Sequence, residues 1–192
     1  EFSFKLLNSW PKWEKNFLNL TGQKFSGKTH LVNIFLEKFK GIKLESSELS
    51  NNSLSQIKIY ENIIIENFND DIDENLFFTL LNIIDQDNKY LILTSAKPIV
   101  EYTFKLDDLN SRSKNFLLSN IEKPEDDLMF ALILKNLSDR QISIDKKLID
   151  FIIKRIDRSY GKIFDFIYKI DEISLKRKKP IDFKIIKEAL GE

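Results

Sequence analysis

The residues with the clearest chemical signature form one glycine-containing segment near the amino terminus. Residues 22–29 match the spacing G-x-x-x-x-G-K-[ST], with an apolar run before them and a helical pattern after them. In such a loop the backbone N–H groups surround an anion, Lys28 neutralises the β- and γ-phosphates, and the hydroxyl of Thr29 serves magnesium. The segment predicts a phosphate-binding loop made of Gly22, Gln23, Lys24, Phe25, Ser26, Gly27, Lys28 and Thr29.

Phe25 is a bulky residue at a position where many loops of this kind carry glycine or another small residue. Its side chain is expected to restrict the backbone or to cover the phosphates. Weak or altered nucleotide binding is therefore an open alternative.

A second pair of polar residues, Glu66 and Asn67, ends an apolar run over residues 63–65. ATPases with a phosphate-binding loop place an acid that holds magnesium at the end of a strand, often followed by a second acid that polarises water. Glu66 is able to serve as the acid that holds magnesium, whereas Asn67 cannot serve as the base that polarises water. The pair predicts a poor ATPase; the alternative is that both residues only cap the following turn.

Arg112 follows a helical or turn segment near the end of the first two thirds of the chain. A guanidinium at such a rim is able to reach the γ-phosphate on a neighbouring molecule, as arginine fingers do. Taken alone, an exposed arginine is more often a solvated surface residue.

Short apolar runs alternate with amphipathic stretches in the part of the chain that carries these residues. Continuous apolar runs are typical of strands buried on both faces, so we expect an α/β fold with a parallel sheet flanked by helices. Residues 45–56 are interpreted as an exposed connection. The predicted strands lie at residues 17–20, 63–65, 90–94 and 115–118, and the predicted helices between them include residues 29–39 and 76–84.

The pattern changes to helices alone after about residue 120. Pro124 and the acidic residues behind it mark a helix start, and further helices are predicted near residues 143–156, 163–175 and 182–190. The sequence predicts a nucleotide-binding α/β core over residues 1–120 and a small helical domain over residues 121–192.

Composition excludes several classes of site. Lys and Arg total 30 and Asp and Glu total 30 in 192 residues, which argues against a surface devoted to nucleic acid. Cysteine is absent and His30 is the single histidine, so thiol chemistry and histidine metal clusters are excluded. No apolar stretch is long enough to cross a membrane, and a cytoplasmic protein is expected. Because the chain starts at Glu1 without methionine, we expect an upstream segment.

Two charge clusters have simpler explanations than a ligand site. The basic run over residues 176–179 invites a nucleic-acid interpretation, but a solvated helix end is favoured because Pro180 follows it. The acidic residues at 70–74 are better explained as helix start signals than as metal ligands.

Five segments together resemble the AAA+ module of the DnaA replication initiator family, over nearly the whole chain. They are residues 20–31, 63–67, 93–98, 109–112 and 124–126. Within the family the chain is most similar to the short Hda-type regulators, which keep the AAA+ core and lid but lack the DNA-binding domain of the initiator.

Two features favour that branch. The chain stops after the last lid helix at Glu192, and Trp10-Pro11-Lys12-Trp13 resembles a Trp-Pro-x-Trp segment of alphaproteobacterial Hda-like proteins. Without the resemblance, both tryptophans are more simply packing residues.

The resemblance implies roles for the residues singled out above. The loop would bind ATP or ADP with magnesium, with His30 completing the family's G-K-T-H segment and Glu66 at the Walker B position beside Thr29. Thr94 and Ser95 would lie near the sensor-1 strand end. Arg112 would be the arginine finger that acts on a partner's nucleotide.

The family mechanism implies two partners. The regulator, carried by the DNA-loaded sliding clamp, would contact ATP-bound DnaA and promote hydrolysis to the inactive ADP form. No clamp-binding motif precedes Trp10, so such a motif would lie upstream of Glu1. Strong direct DNA binding and membrane association are not expected, and homo-oligomerisation is left open.

The chain departs from the family pattern at the sensors. Ala96 stands where initiators commonly carry aspartate, and Gly161 aligns with the usual sensor-2 arginine, so that Lys162 or Arg158 would substitute. Two other functions stay open: a DnaA-like or helicase-loader ATPase that acts through its own hydrolysis cycle, and an AAA+ adaptor that binds no nucleotide.

Overall fold

The computed structural model describes residues 2–192, which divide into two compact units, residues 2–121 and residues 122–192. The first unit contains a five-stranded sheet and the second is helical. Within the described residues, every helix is too short or too polar to span a bilayer.

The sheet of the first unit is parallel throughout, with the strand order β2-β3-β4-β1-β5. The α/β class with a parallel sheet flanked by helices is thus confirmed. The strands are β1 (Phe17–Gly22), β2 (Gly41–Glu45), β3 (Asn62–Phe68), β4 (Tyr90–Ser95) and β5 (Leu117–Ile121).

Within residues 2–192, five α-helices connect or precede these strands, and four more form the second unit. In the first unit they are α1 (Phe2–Asn8), α2 (Lys28–Lys38), α3 (Asn51–Ile57), α4 (Glu74–Gln86) and α5 (Asp107–Arg112). In the second unit they are α6 (Asp126–Asp139), α7 (Lys146–Ile153), α8 (Tyr160–Arg177) and α9 (Phe183–Leu190).

The central strands are apolar on both faces because helices cover both faces of the sheet. Ile64 of β3 packs with Val32 and Phe35 of α2, whereas its neighbours Ile63 and Ile65 pack on the α4 side. All three isoleucines have no exposed surface, and each buried isoleucine contributes about 1.5–3 kcal/mol. This two-sided burial explains why the strand sequence lacks polar alternation.

The interpretation of residues 45–56 as an exposed connection is wrong. Residues 46–48 form a 3₁₀ turn and α3 follows it, with a capping box in which the Ser50 hydroxyl accepts from the N–H of Ser53. Leu49 and Leu54 are buried in the core on the α4 side. The serine-rich composition concealed a short capped helix because its apolar residues are few.

Strand β2, at the sheet edge, was missed in the sequence, and the fourth predicted strand was placed too early. Only Ile42 and Leu44 of β2 face the core, so the strand has no continuous apolar run. Residues 113–115 form a 3₁₀ turn, and β5 begins at Leu117.

The second unit is a small helical domain with a core of its own. Asp145 and Asp182 cap the amino termini of α7 and α9 by accepting backbone N–H groups. Helix α8 begins at Tyr160, three residues before the predicted position, and α6 begins after Pro124 with Glu125 at its N-cap position. The most deeply buried side chains of the second unit include Met129, Ile133, Ile149, Ile163 and Ile167.

Candidate nucleotide site

The predicted phosphate-binding loop connects the carboxyl end of β1 with the amino end of α2. Gly27 occupies the N-cap position with φ of 92°, and no side chain caps the helix. Because a left-handed backbone disfavours a Cβ atom, glycine is the residue that suits this turn. The first N–H groups of α2 therefore face outward without a side-chain acceptor, which is the arrangement that binds an anion.

Lys28 lies at the first position of α2 and folds back onto the loop. Its Nζ donates to the carbonyl oxygens of Gly22 at 2.7 Å and Gln23 at 2.9 Å. Burial lowers the pKa of Lys28, and the nearby carboxylate of Glu66 acts in the opposite direction. A half-buried ammonium group at the loop is thus available to a ligand of higher negative charge.

Phe25 adopts the left-handed backbone conformation, with φ of 66°. Such a conformation costs a residue with a side chain roughly 1–2 kcal/mol. Its side chain is 53% exposed, and the Nζ of Lys24 lies 5.1 Å from the ring centroid. The bulky residue is therefore accommodated by backbone strain, with about half of its surface facing solvent.

Glu66 is almost fully buried near the carboxyl end of β3, two residues before the last residue of the strand, and its partner Lys43 also contacts Asn33 of α2. One carboxylate oxygen, Oε2, lies 3.2 Å from Nζ of Lys43, and the other, Oε1, is buried without a partner. Asn67 has φ of 56°, and its side-chain amide donates to Oε2 of Glu45 at 2.8 Å. The two polar residues thus do more than cap a turn, because both contact charged residues of β2.

Thr94 and Ser95 end β4 and are buried. The Thr94 hydroxyl accepts from the N–H of Asn67 at 3.0 Å, which ties the ends of β3 and β4 together. The Ser95 hydroxyl donates to the carbonyl oxygen of Lys97 at 2.7 Å and accepts from Asn19 Nδ2 at 2.8 Å.

Asn19 is a residue that sequence reasoning missed. It lies in the middle of β1 with no exposed surface, and its Oδ1 accepts from the N–H of Ile99 at 2.7 Å. Together with its bond to Ser95, this contact connects β1 to the segment that follows β4. The one available signal was a carboxamide inside an otherwise apolar run, Phe17-Leu18-Asn19-Leu20.

Three buried side-chain polar atoms without a hydrogen-bond partner lie at or near the loop: Gln23 Oε1, Ser26 Oγ and Glu66 Oε1. Two others among the described residues, Trp10 Nε1 and Asn62 Oδ1, lie away from it. A buried polar group without a partner is costly, so the three atoms at the loop fit a polar ligand with its metal ion. Among the described residues no cluster of three or more acidic or histidine side chains could hold a metal alone.

Thr29 and His30 follow Lys28 in the first turn of α2, and both are exposed. The Thr29 hydroxyl and the Glu66 carboxylate are the side chains that would hold magnesium, with nucleotide phosphates supplying the other oxygens. Their oxygen chemistry fits this ion.

Arg112 lies away from the loop, near the opposite end of the sheet. It ends α5 shortly before the amino end of β5, whereas the loop follows the carboxyl end of β1, and these strands are parallel. Its Nη1 is 3.2 Å from Oδ2 of Asp85, and its guanidinium lies 5.2 Å from the ring centroid of Phe78. The first unit therefore does not bring Arg112 to its own loop.

The sensor-2 candidates Arg158 and Lys162 belong to the second unit. Arg158 Nη2 is 2.8 Å from Oδ1 of Asp126 in the same unit, and Lys162 is exposed in the first turn of α8.

Sequence comparison finds replication initiators among the relatives of this chain. The chromosomal replication initiator protein DnaA of Leifsonia xyli subsp. xyli is 22% identical over 206 residues, which cover 95% of this chain and 43% of that protein. DnaA of Corynebacterium aurimucosum is 25% identical over 116 residues, covering 60% of this chain and 21% of that protein. The chain thus matches less than half the length of either relative, and no protein-family model matches it.

Structural comparison points to the same module. Domain III of the Thermotoga maritima replication initiation protein DnaA superposes with a TM-score of 0.76 at 15% identity, covering 99% of this chain and 88% of that one. AMPPCP-bound DnaA from Aquifex aeolicus gives a TM-score of 0.70 at 20% identity, covering 91% of this chain and 62% of that one. The chain is therefore similar in sequence to DnaA replication initiators, and it has the fold of their AAA+ domain.

Proposed function

We propose that this chain binds ADP or ATP and acts as an Hda-like regulator of replication initiation that promotes hydrolysis of DnaA-bound ATP. The observation that carries the nucleotide part is the set of buried, unpartnered polar atoms beside the uncapped start of α2. The similarity to DnaA, one solved example of which is bound to AMPPCP, supports an adenine nucleotide as the ligand.

Residues of the first unit would divide the work of binding. The N–H groups of the loop and of the first turn of α2, through His30, would donate to phosphate oxygens. Lys28 would exchange its two carbonyl acceptors for phosphate oxygens, which attract an ammonium group more strongly. Magnesium held by Thr29 and Glu66 would supply positive charge at the phosphates.

Weak hydrolysis by the chain itself follows from Asn67. A carboxamide has no basic group to accept a proton from water at neutral pH, and this one is engaged with Glu45. The hydroxyl oxygen of Thr94 accepts a hydrogen bond from the N–H of Asn67. Its own O–H group would therefore be able to donate to a water or a phosphate near Glu66. Thr94, with Ser95 beside it, would then sense the bound nucleotide rather than catalyse its hydrolysis.

Arg112 would act on the nucleotide of a second molecule. Its position at the opposite end of the sheet from its own loop supports action in trans, and its side chain is 31% exposed. The pair with Asp85 is only partly buried, so exchanging that carboxylate for a phosphate is inexpensive. The partner would be ATP-bound DnaA, acted on together with the sliding clamp loaded on DNA.

The second unit would be the helical lid domain of the family pattern. Lys162, which is exposed, and Arg158, paired on the surface with Asp126, are the cations available there for the sensor-2 role.

Calorimetric titration with ADP and ATP, with and without magnesium, tests the binding step. The wild-type chain should give saturable heat, and Lys28→Ala should weaken affinity by about 10- to 100-fold, the value of a charge-assisted hydrogen bond. Lys40→Ala is the matched control, because Lys40 is an exposed lysine of the same unit that precedes the amino end of β2, away from the loop. A titration of the wild-type chain that gave no heat of binding would refute the proposal that it binds a nucleotide.

Hydrolysis of DnaA-bound ATP, with the clamp loaded on DNA, tests the regulatory step. Arg112→Ala should abolish the stimulation. Arg140→Ala is the control because Arg140 makes the same two kinds of contact, an ion pair with Asp171 and a guanidinium stacked over Tyr168. Equal stimulation by the Arg112 variant and the wild type would show that the finger assignment is wrong.

A nucleotide-free adaptor is the second candidate. It is favoured by the Lys28 ammonium, which the loop's own carbonyl groups already satisfy, and by the strained backbone at Phe25. Flat titrations together with intact stimulation of DnaA would favour this adaptor. Steady hydrolysis by the chain alone would instead favour an ATPase with its own cycle.

A further inference from the structure

The edge strand β2 places a lysine beside the buried carboxylate of Glu66, near the carboxyl end of β3. Lys43 and Glu45 of β2 lie opposite Ile64 and Glu66 in the parallel register. Lys43 Nζ reaches Oε2 of Glu66 at 3.2 Å and donates to Oδ1 of Asn33 on α2 at 2.9 Å. The ammonium group is thus fixed by two side chains from two neighbouring elements.

Glu66 needs a cation in this position. Its side chain is 3% exposed, and an ionised carboxylate without a partner is strongly disfavoured at such burial. Lys43 supplies that charge from the protein itself, while Oε1 stays buried without a partner. The Lys43 side chain is 35% exposed, so it is also able to withdraw toward solvent.

The same strand holds the next residue of the site. Glu45 accepts a hydrogen bond from the Asn67 side chain at 2.8 Å, so the alternate residues Lys43 and Glu45 of β2 contact the consecutive residues Glu66 and Asn67 of β3. Strand β2 therefore holds the side chains of Glu66 and Asn67 in place and supplies charged groups beside both of them.

We infer that Lys43 is a positioning residue that competes with magnesium for Glu66, so that the site binds ADP with little dependence on the metal. This inference rests on the proposed nucleotide binding. A divalent cation beside Oε1 would lie a few ångströms from an ammonium group that already neutralises the same carboxylate. The repulsion between the two cations, together with the neutralised carboxylate, reduces what the metal gains by binding.

The ratio of ADP affinities in excess magnesium and in EDTA measures this competition. The ratio should be small for the wild-type chain and should rise about 10-fold in Lys43→Met, since removing an adjacent charge changes such an affinity by about that factor. Lys43→Arg keeps the charge and should keep the wild-type ratio. Lys40→Met is the matched control, because this exposed lysine immediately precedes β2.

Asn33→Ala provides a second, independent test. This substitution, at an exposed position of α2, removes the second acceptor of the Lys43 ammonium group. Because the ammonium charge itself stays, the ratio of ADP affinities should rise by less than it does in Lys43→Met. If Lys43→Met fails to fold by circular dichroism, an unchanged ratio in Asn33→Ala overturns the inference.

The outcomes separate this inference from the proposed function. Absence of ADP binding by the wild-type chain in both buffers would overturn the two together. Binding that is intact, with the same ratio in the wild type, Lys43→Met and Lys40→Met, would overturn the competition alone.

Discussion

Replacing Asn19 with alanine should destabilise the first unit far more than replacing the nearby Asn16. Asn19 is fully buried, donates to Leu93 O at 3.1 Å and to Ser95 Oγ at 2.8 Å, and accepts from the N–H of Ile99 at 2.7 Å. Asn16 makes one exposed side-chain bond, to Asn88 Oδ1 at 3.0 Å. The two variants remove the same side chain from environments that differ in burial.

The expected magnitude follows from the groups that lose a partner. The N–H of Ile99 loses its buried acceptor, which costs about 1–3 kcal/mol. Ser95 Oγ keeps its bond to Lys97 O, so its loss is smaller. With the void left by the side chain, Asn19→Ala should lower the free energy of unfolding by about 2–4 kcal/mol, against less than about 1 kcal/mol for Asn16→Ala.

Urea unfolding followed by tryptophan fluorescence measures this difference. The chain has two tryptophans, Trp10 and Trp13, and both lie in the first unit, so the signal reports on that unit. The slope of the transition should be unchanged while its midpoint shifts. If Asn19→Ala cost no more than Asn16→Ala, the structural weight placed on this buried amide would be refuted.

Two further predictions concern the loop lysine and the core of the second unit. Burial lowers the pKa of Lys28 below the ordinary lysine value of 10.5, so between the lowered pKa and 10.5 the unfolded chain binds more protons. The contribution of Lys28 to the free energy of unfolding of the nucleotide-free protein should therefore rise with pH across that window, so the wild type should gain stability relative to Lys28→Met as the pH rises in urea titrations. Ile133→Ala should cost about 2–5 kcal/mol in unfolding followed by far-ultraviolet circular dichroism, because this side chain is fully buried. The control is Leu134→Ala, which truncates the exposed residue next to it. A similar loss of unfolding free energy in the two variants would contradict the assignment of the core.

The loop over residues 22–29 and its flanking strand and helix were predictable because their signals are local. The spacing of Gly22, Gly27, Lys28 and Thr29 specifies a turn between a strand and a helix, and the strand and helix appear as predicted. The three central strands were equally visible, because burial on both faces leaves an apolar run in the sequence. The helical second unit followed from caps and apolar stripes at helical spacing.

The edge of the sheet was harder to predict because edge strands are buried on one side. Strand β2 has two core-facing residues, Ile42 and Leu44, separated by Lys43, and this pattern is too short to distinguish a strand from a loop. The segment after it looked polar, yet Leu49 and Leu54 anchor it to the core. One or two long-range apolar contacts outweighed the local composition.

The amino-acid sequence alone determined the chemistry that the loop offers, the α/β class and the helical character of the last third, since each depends on residues close together in the chain. Tertiary structure decided which charges meet. Lys43 reaches Glu66 through the register of two strands, and Arg112 is held by Asp85 from another helix. Such pairs depend on how strands and helices are placed side by side, and spacing along the chain carries no information about that placement.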